Sequence, residues 1–150
     1  MRTTARSRVV GLVLATSGLV LTSACGGDSE AASESPTPSC MSSLAPASVP
    51  SDGTFPTHWP FPPGTVITAT EQVPGGGLAV TAQVGSSFER VLPFMQHDLE
   101  EAGFVATQGE AEDDDAEATW SGNGYSGTWA IKSSETCRGT TLLQVAAAKQ

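Results

Sequence analysis

The stretch that decides the fold lies at residues 117–132 and reads EATWSGNGYSGTWAIK. At its centre, Asn123-Gly124 supplies the two positive-φ residues that a type I′ hairpin turn requires. Such a turn fixes the register of its two strands, so that Trp120 lies opposite Gly127. Because side chains alternate along a strand, one face of the hairpin then carries the large apolar side chains, which are Trp120, Tyr125, Trp129 and Ile131.

Segments on both sides of this hairpin also have strand patterns. The β-branched run at residues 65–70 and the alternating run at 78–84 flank a Pro-Gly-Gly-Gly break, which predicts a second hairpin. Residues 104–108 are a short strand candidate. A last strand is predicted from the alternating positions Thr141, Leu143, Val145 and Ala147.

One helix is predicted between these strands. Ser86 and Glu89 have the spacing of a capping box, and an apolar stripe follows at helical spacing: Phe88, Val91, Leu92, Met95, Leu99 and Ala102. Gly103 is the expected left-handed stop, with Phe104 packing back on the last turn. Pro93 lacks a backbone N–H, so it is expected to kink the helix or to restart it as a second segment.

These elements predict an α+β fold with the element order ββαβββ or ββαββββ. The expected architecture is an antiparallel sheet of five to six strands with one helix packed on one face. We expect the aromatic face of the hairpin to pack beneath the helix at residues 88–99, because that helix offers the other large apolar surface.

The first 25 residues have the pattern of an export signal. Three arginines within residues 2–8 precede an uncharged apolar run at 9–21, and small residues at 22–24 precede Cys25. As a helix the apolar run would span about 20 Å, which is shorter than the roughly 30 Å hydrocarbon core of a bilayer. A cleaved signal is therefore favoured over a permanent transmembrane helix.

Residues 22–25 resemble the lipobox of bacterial lipoprotein precursors, with Thr22 where that family prefers Leu, Val or Ile. The resemblance implies a signal peptide at residues 1–24, cleavage before Cys25 and a diacylglyceryl group on the Cys25 thiol. It further implies anchoring to the outer face of the cell membrane, since two acyl chains hold firmly where one does not. The Lys-poor, Ala/Gly/Thr-rich composition is similar to that of small lipoproteins from high-GC Gram-positive bacteria. Plain secretion with cleavage near Ala24 and an uncleaved anchor are the alternatives.

The chain that follows the signal is strongly acidic. It holds four basic and sixteen acidic residues, so it carries −12 formal charges against −9 for the precursor. Such a surface repels nucleic acid phosphates and anionic lipid headgroups. Nucleic acid is therefore excluded as a partner, and we expect membrane contact through the lipid at Cys25 alone.

Residues 25–53 are predicted to be the lipidated cysteine and a disordered tether, because Ser, Pro, Ala and Glu dominate there. A single α+β domain is predicted at residues 54–150. Cys40 and Cys137 are the two cysteines that remain, and in an exported chain they are expected to form a disulfide. The alternative, a reactive thiol or a metal pair, has no CxxC motif or neighbouring histidine in its favour.

Residues 55–63 alternate prolines with aromatic residues and predict a stiff, extended arm. The arm either packs over the core or along the sheet edge, or it presents an exposed docking strip to a partner. Phe55, Trp59 and Phe61 are the candidate contacts for such a partner, an envelope protein or a glycan. Because we expect the aromatic face of the hairpin to fill the space beneath the helix, we expect the arm to lie outside the core.

No catalytic pattern stands out. The six acids within residues 110–117 lack the spacing of a calcium-binding loop and are interpreted as a solvated loop between strands. His97 is expected to point to solvent, with only His58 available as a second imidazole, so no metal or other cofactor is predicted. Residues 124–127 (GYSG) fall one residue short of a G-x-S-x-G nucleophile elbow and follow a hairpin turn instead of a strand-to-helix turn.

The sequence therefore favours a membrane-anchored extracytoplasmic lipoprotein that acts as a non-enzymatic binding or accessory module of the cell envelope. A small cell-envelope hydrolase that uses acidic residues is the alternative from another class of function. Two facing carboxylates with shifted pKa values in a pocket would favour the enzyme, whereas a flat exposed aromatic patch would favour the binding module.

Overall fold

The computed structural model describes residues 39–150, in which six strands and one helical segment follow a short 3₁₀ turn. The elements in chain order are the 3₁₀ turn Ser39–Ser43, β1 Thr65–Val73, β2 Gly77–Val84, α1 Phe88–Pro93, a π-helical turn Phe94–Asp98, α2 Leu99–Glu101, β3 Val105–Ala111, β4 Asp115–Gly122, β5 Tyr125–Ser133 and β6 Thr141–Lys149.

The turn at Asn123-Gly124 forms as its sequence predicts. The φ angle is 51° at Asn123 and 80° at Gly124, the left-handed values of a type I′ turn. β4 and β5 pair with Trp120 opposite Gly127 and with Ala118 opposite Trp129. The predicted register is therefore confirmed, and with it the aromatic face of the hairpin.

All six strands form one antiparallel sheet with the spatial order β1-β2-β6-β5-β4-β3. The predicted antiparallel sheet and its accompanying helix are confirmed. The strands, however, do not lie side by side in chain order, because β6 inserts between β2 and β5 and pairs with both. Sequence alternation shows which face a strand buries but not which strand lies beside it, so this order was not predictable from the pattern.

The helical segment starts with a different cap from the one predicted. Its N-cap is Ser87, whose side chain makes no capping hydrogen bond, so no capping box forms at Ser86. The Ser86 carbonyl instead accepts a hydrogen bond from the Thr141 hydroxyl at 2.9 Å, which ties the helix start to β6. The Ser87 hydroxyl lies near the Glu89 carboxylate and holds the pKa of Glu89 below its ordinary value.

Pro93 marks a change in helix type. It has no N–H to donate to the preceding turn, and the turn that follows it, Phe94–Asp98, is π-helical. A π turn of this kind accommodates an interruption of the α-helical hydrogen-bond ladder without ending the helix. The interruption predicted at Pro93 is therefore present as a wider turn, and the segment continues to Glu101.

The helix ends at Gly103 in a Schellman motif, as its sequence predicts. Gly103 has a φ of 86°, and its N–H donates to the Glu100 carbonyl at 2.9 Å. The Phe104 N–H donates to the Leu99 carbonyl at the same distance, and both side chains are buried. This is the 6→1 and 5→2 bonding pattern with its apolar contact.

The core lies between the helical segment and one face of the sheet. Phe88, Val91, Met95 and Leu99 of the helical segment belong to one buried cluster with Trp120, Trp129 and Ile131 of the hairpin. Tyr125 is half-buried at the margin of this cluster. The expectation that the aromatic face packs beneath the helix is therefore confirmed.

The folded domain begins before the predicted boundary at residue 54. Cys40 is bonded to Cys137, with 5.9 Å between the two Cα atoms, and Met41 is buried. The Ala47 N–H donates to the Ile67 carbonyl at 2.7 Å. These attachments use a covalent bond and backbone groups more than apolar side chains, which is why composition placed residues 39–53 in the tether.

The predicted signal peptide at residues 1–24, Cys25 and the first part of the predicted tether lie outside the described residues. Within residues 39–150, no helix combines the length and apolarity needed to cross a membrane.

The disulfide is expected to supply a large share of the domain's stability. Cys40 and Cys137 are separated by 97 residues in sequence. The double variant Cys40→Ser/Cys137→Ser should lower the free energy of unfolding by about 4 to 5 kcal/mol, because the unfolded chain regains the entropy of an open loop of that length. Urea denaturation measures the loss. In the parent, neither thiol should react with an alkylating reagent before reduction, and two free thiols in the unreduced protein would contradict the pairing.

Candidate functional site

The aromatic residues of the Pro-rich arm at residues 55–63 pack into the core. Phe55 is 1% exposed and Trp59 is 5% exposed, while Phe61 is half-buried and packs against the same cluster. The expectation that the arm lies outside the core is wrong, and the packing alternative is the one observed. Phe55 and Trp59 are therefore not available as an exposed docking strip.

The physical reason is an aromatic contact that the hairpin and the helix end provide. The Trp59 ring centroid lies 4.5 Å from that of Trp120 and 4.9 Å from that of Phe104. Phe104 and Trp120 meet edge to face, with their centroids 5.5 Å apart. Large aromatic rings gain from such tilted and T-shaped packing beyond the apolar area they bury, so the arm is held against the core.

This core carries an energetic cost. The indole Nε1 atoms of Trp59, Trp120 and Trp129 are buried, and none has a hydrogen-bond partner among residues 39–150. A buried donor without a partner costs about 1 to 3 kcal/mol.

The arm is fixed at its N-terminal side by polar contacts. The Tyr125 hydroxyl donates to the Gly53 carbonyl at 2.9 Å. The Thr54 N–H and hydroxyl both donate to Asp52 Oδ1, at 2.9 and 2.6 Å, and hold the pKa of the Asp52 carboxyl below its ordinary value. The arm is thus bonded to the hairpin before its aromatic residues enter the core.

Trp59→Ala should destabilise the fold strongly, whereas substitution of its exposed neighbour His58 should not. Truncating a buried Trp costs about 3 to 5 kcal/mol, since it removes apolar burial and leaves a cavity. Thermal unfolding of Trp59→Ala, with His58→Ala as the matched control, measures the difference. Equal melting midpoints for the two variants would contradict the burial of Trp59.

The acidic run at residues 110–117 forms the end of β3, an exposed connection at residues 112–114 and the start of β4, so the predicted solvated loop between strands is present but shorter than the run. β3 extends to Ala111 and β4 begins at Asp115, and the Glu112 N–H donates to the Asp115 carbonyl at 2.7 Å across the turn. No group of three or more His, Cys, Asp or Glu side chains in the described part of the chain is arranged to hold a metal ion.

The two histidines and the serine of the GYSG sequence are not brought together as a site. His58 and His97 are both exposed, on the arm and on the π-helical turn. Ser126 lies inside β5, directly opposite Ser121 of β4. A serine within a paired strand lacks the sharp strand-to-helix turn of a nucleophile elbow.

The face of the sheet opposite the helix is open in the described domain and holds two shallow depressions. One, of about 420 Å³, lies over β3, β4 and β5, and the other, of about 230 Å³, lies over β1, β2, β6 and β5. Both are lined by Thr128 and Ala130. Small side chains on this face therefore leave a trough across the sheet.

The larger depression contains a pair of like charges. Glu110 of β3 and Glu117 of β4 lie directly opposite each other in register, and both line the depression. Like charges at opposed positions destabilise a sheet. β3, β4 and the turn between them contain no Lys or Arg. One basic residue on the same face, Lys132, lies on the neighbouring strand β5, opposite Asp115.

The two edges of the sheet differ. At the β1 edge, the Ala47 N–H donates to the Ile67 carbonyl, so the segment before the arm is bonded to that edge at one point. At the β3 edge, all seven residues are exposed and no described segment pairs beyond the strand. Val105, at the start of β3, is 48% exposed, the highest value among the large apolar side chains of residues 39–150.

A search of family models, curated proteins and solved structures finds no match to this chain. Its chemistry is therefore inferred from the geometry. The β3 edge, the Glu110–Glu117 pair and the larger depression adjoin one another, and together they offer backbone hydrogen-bonding groups beside negative charge. Sequence reasoning missed this surface because its residues are small or polar; the period-two pattern of β4 and β5 did place Glu117, Thr128 and Lys132 on one face.

Glu117→Gln should stabilise the isolated domain. Removing one of two opposed carboxylates should raise the free energy of unfolding by about 0.2 to 1 kcal/mol. The gain should shrink in 1 M salt, where charges are screened within about 3 Å. Urea denaturation at low and high salt measures it, with Glu71→Gln of β1, opposite Ala79, as the control. A gain no larger than that of Glu71→Gln would argue against repulsion.

Proposed function

We propose that this protein is a lipoprotein anchored to the outer face of the cell membrane, where its domain acts as a non-enzymatic binding or accessory module. The observation that carries the proposal is Cys25, which directly follows an export-type segment and its small residues. The Cys40–Cys137 disulfide supports it, because disulfides persist mainly in oxidising, extracytoplasmic compartments.

The position of the disulfide supports a defined attachment of the domain to its anchor. Cys40 is bonded to Cys137 in the loop between β5 and β6. Ser133, the last residue of β5, donates its N–H to the Asp114 carbonyl at 2.8 Å. The chain therefore enters the domain near the end of the sheet that carries the acidic hairpin turn. A disordered tether of the length of residues 26–39, as composition predicts for that segment, has a typical end-to-end distance of about 20 Å, which is enough to keep the acidic domain clear of the lipid headgroups.

The open face supports binding better than catalysis. A hydrolase that uses two carboxylates needs them on opposite sides of the bond that is cleaved. Glu110 and Glu117 are cross-strand neighbours, so their Cβ atoms lie roughly 5 Å apart and both side chains project from the same face of the sheet. Such a pair suits one positive group held between its members.

The small cell-envelope hydrolase is kept as the second candidate, because these two carboxylates share a depression. Release of soluble sugars or peptides from purified cell wall by the parent, with loss of that activity in Glu110→Gln, would favour the enzyme over the binding module.

Cys25→Ala should abolish lipid attachment and release or mislocalise the protein. The thiol at this position is the only group to which the family attaches the diacylglyceryl chains, so alanine leaves nothing to modify. Incorporation of labelled fatty acid and fractionation of an expressing bacterium measure both effects, with Ser23→Ala as the matched control that keeps the thiol.

Two results would contradict the lipid anchor. Label in Cys25→Ala would place the lipid elsewhere, and an unlabelled parent found in the medium would establish plain secretion instead.

A further inference from the structure

We propose that the outer edge of β3 binds a basic, extended polypeptide segment by strand addition, with the positive side chains of that segment against Glu110 and Glu117. The inference rests on the proposed role as a binding module and names the chemical class of its partner. Three observations support it: the open edge of β3, the negative charge beside that edge, and the larger depression next to both.

The edge supplies unpaired backbone groups. β3 is the last strand of the sheet, and every one of its residues is exposed. An edge strand directs alternate N–H and C=O groups away from its partner strand, and these form a template for another strand. Strand addition uses such groups for affinity and adjacent side-chain sites for specificity.

The negative charge beside this edge favours an added strand that carries positive charge. The β3–β4 hairpin, residues 105–122, contains six carboxylates and no basic residue. Its net charge of −6 is half of the −12 formal charges of the chain after its signal. Glu110 and Glu117 line the larger depression next to β3. A lysine or arginine placed there by an added strand would remove the repulsion between the two opposed carboxylates.

The same charge argues against two other occupants. A second copy would bring two hairpins of −6 into contact, which costs free energy through like-charge repulsion. The chain's own residues 26–38 contain Asp28, Glu30 and Glu34 and no basic residue, so they do not complement the hairpin either. Charge complementarity therefore points to a separate, basic polypeptide.

The geometry of a strand fits this arrangement. Alternate side chains of an added strand point to the same face of the sheet as Gln108 and Glu110, whose neighbours Glu117, Thr119 and Thr128 line the depression. A long basic side chain in that position reaches across β3 toward Glu117, and its apolar stem covers the small residues beneath it.

The probe for this proposal is a capped eight-residue peptide in which lysine and valine alternate. Its binding to the full-length protein, purified in detergent, is measured by calorimetry in low-salt buffer. One comparison peptide replaces each lysine with glutamate. Another keeps the sequence but has its four central backbone nitrogens methylated, which removes the strand's donors and retains its charge.

We expect the lysine–valine peptide to bind and both comparison peptides to lose binding. In the Glu110→Gln/Glu117→Gln variant, affinity should fall about tenfold, the combined effect of two exposed charge pairs. The matched control Glu71→Gln/Glu135→Gln removes the same charge from β1 and from the β5–β6 loop, and it should bind like the parent. Hydrogen exchange should show the amides of residues 105–111 gaining protection in the complex.

Several outcomes would overturn the proposal. Absence of binding would refute it directly, and equal binding of the methylated peptide would show that the edge is not used. An equal loss of affinity in the control variant would show that only the net charge of the protein matters, and not the position of Glu110 and Glu117. A dimer by sedimentation, or β3 amides already protected in the free protein, would show the edge occupied by a second copy or by the chain itself. None of these results bears on lipid attachment, which the Cys25→Ala experiment tests separately.

Discussion

The contact between the indole rings of Trp59 and Trp120, with centroids 4.5 Å apart, is the interaction on which the arrangement of this domain depends. Three separate local features of the chain bring these rings together. The type I′ turn sets the register that points Trp120 into the core. The Schellman motif at Gly103 directs Phe104 to the edge of that ring. The stiff arm then carries Trp59 across both, so that loss of this contact would free the arm and uncover the hairpin.

Features set by nearby residues were predictable from the sequence, and features set by distant residues were not. The hairpin register follows from Asn123-Gly124, and the helix end follows from Gly103, because positive φ angles favour few residue types. The burial of Trp59 depends instead on a surface formed by residues far along the chain, and aromatic residues of a Pro-rich segment look alike whether they pack or dock. The position of β6 between β2 and β5 has the same origin, since pairing partners leave no mark on alternation.

The candidate site shows the same limit. Phe55 and Trp59 were candidate contacts because they are large and aromatic, yet both are buried. The open face is built from small residues such as Thr128 and Ala130, whose sequence pattern does not indicate a binding surface. The interpretation of residues 110–117 as a loop between strands holds for residues 112–114 and fails on either side of them, because Asp and Glu are poor strand formers and gave no strand signal there. Cross-strand hydrogen bonding extends β3 and β4 into that run regardless, and it thereby places Glu110 opposite Glu117.

The two edges of the sheet, β1 and β3, are protected in different ways, and this difference bears on what the β3 edge can bind. Proteins protect exposed edges with charge, bulges or a covering segment. Here the segment before the arm is bonded to β1 at Ile67, whereas β3 has a register shift near Thr107 and acidic neighbours. Acidic side chains discourage a second acidic copy but favour a basic strand, so the protection is selective by charge. A single added strand forms a small interface, and small interfaces are weak in solution. The proposed lipid anchor would confine the domain to the membrane surface and raise the effective concentration toward a partner held there, so a weak, charge-selected contact would suffice.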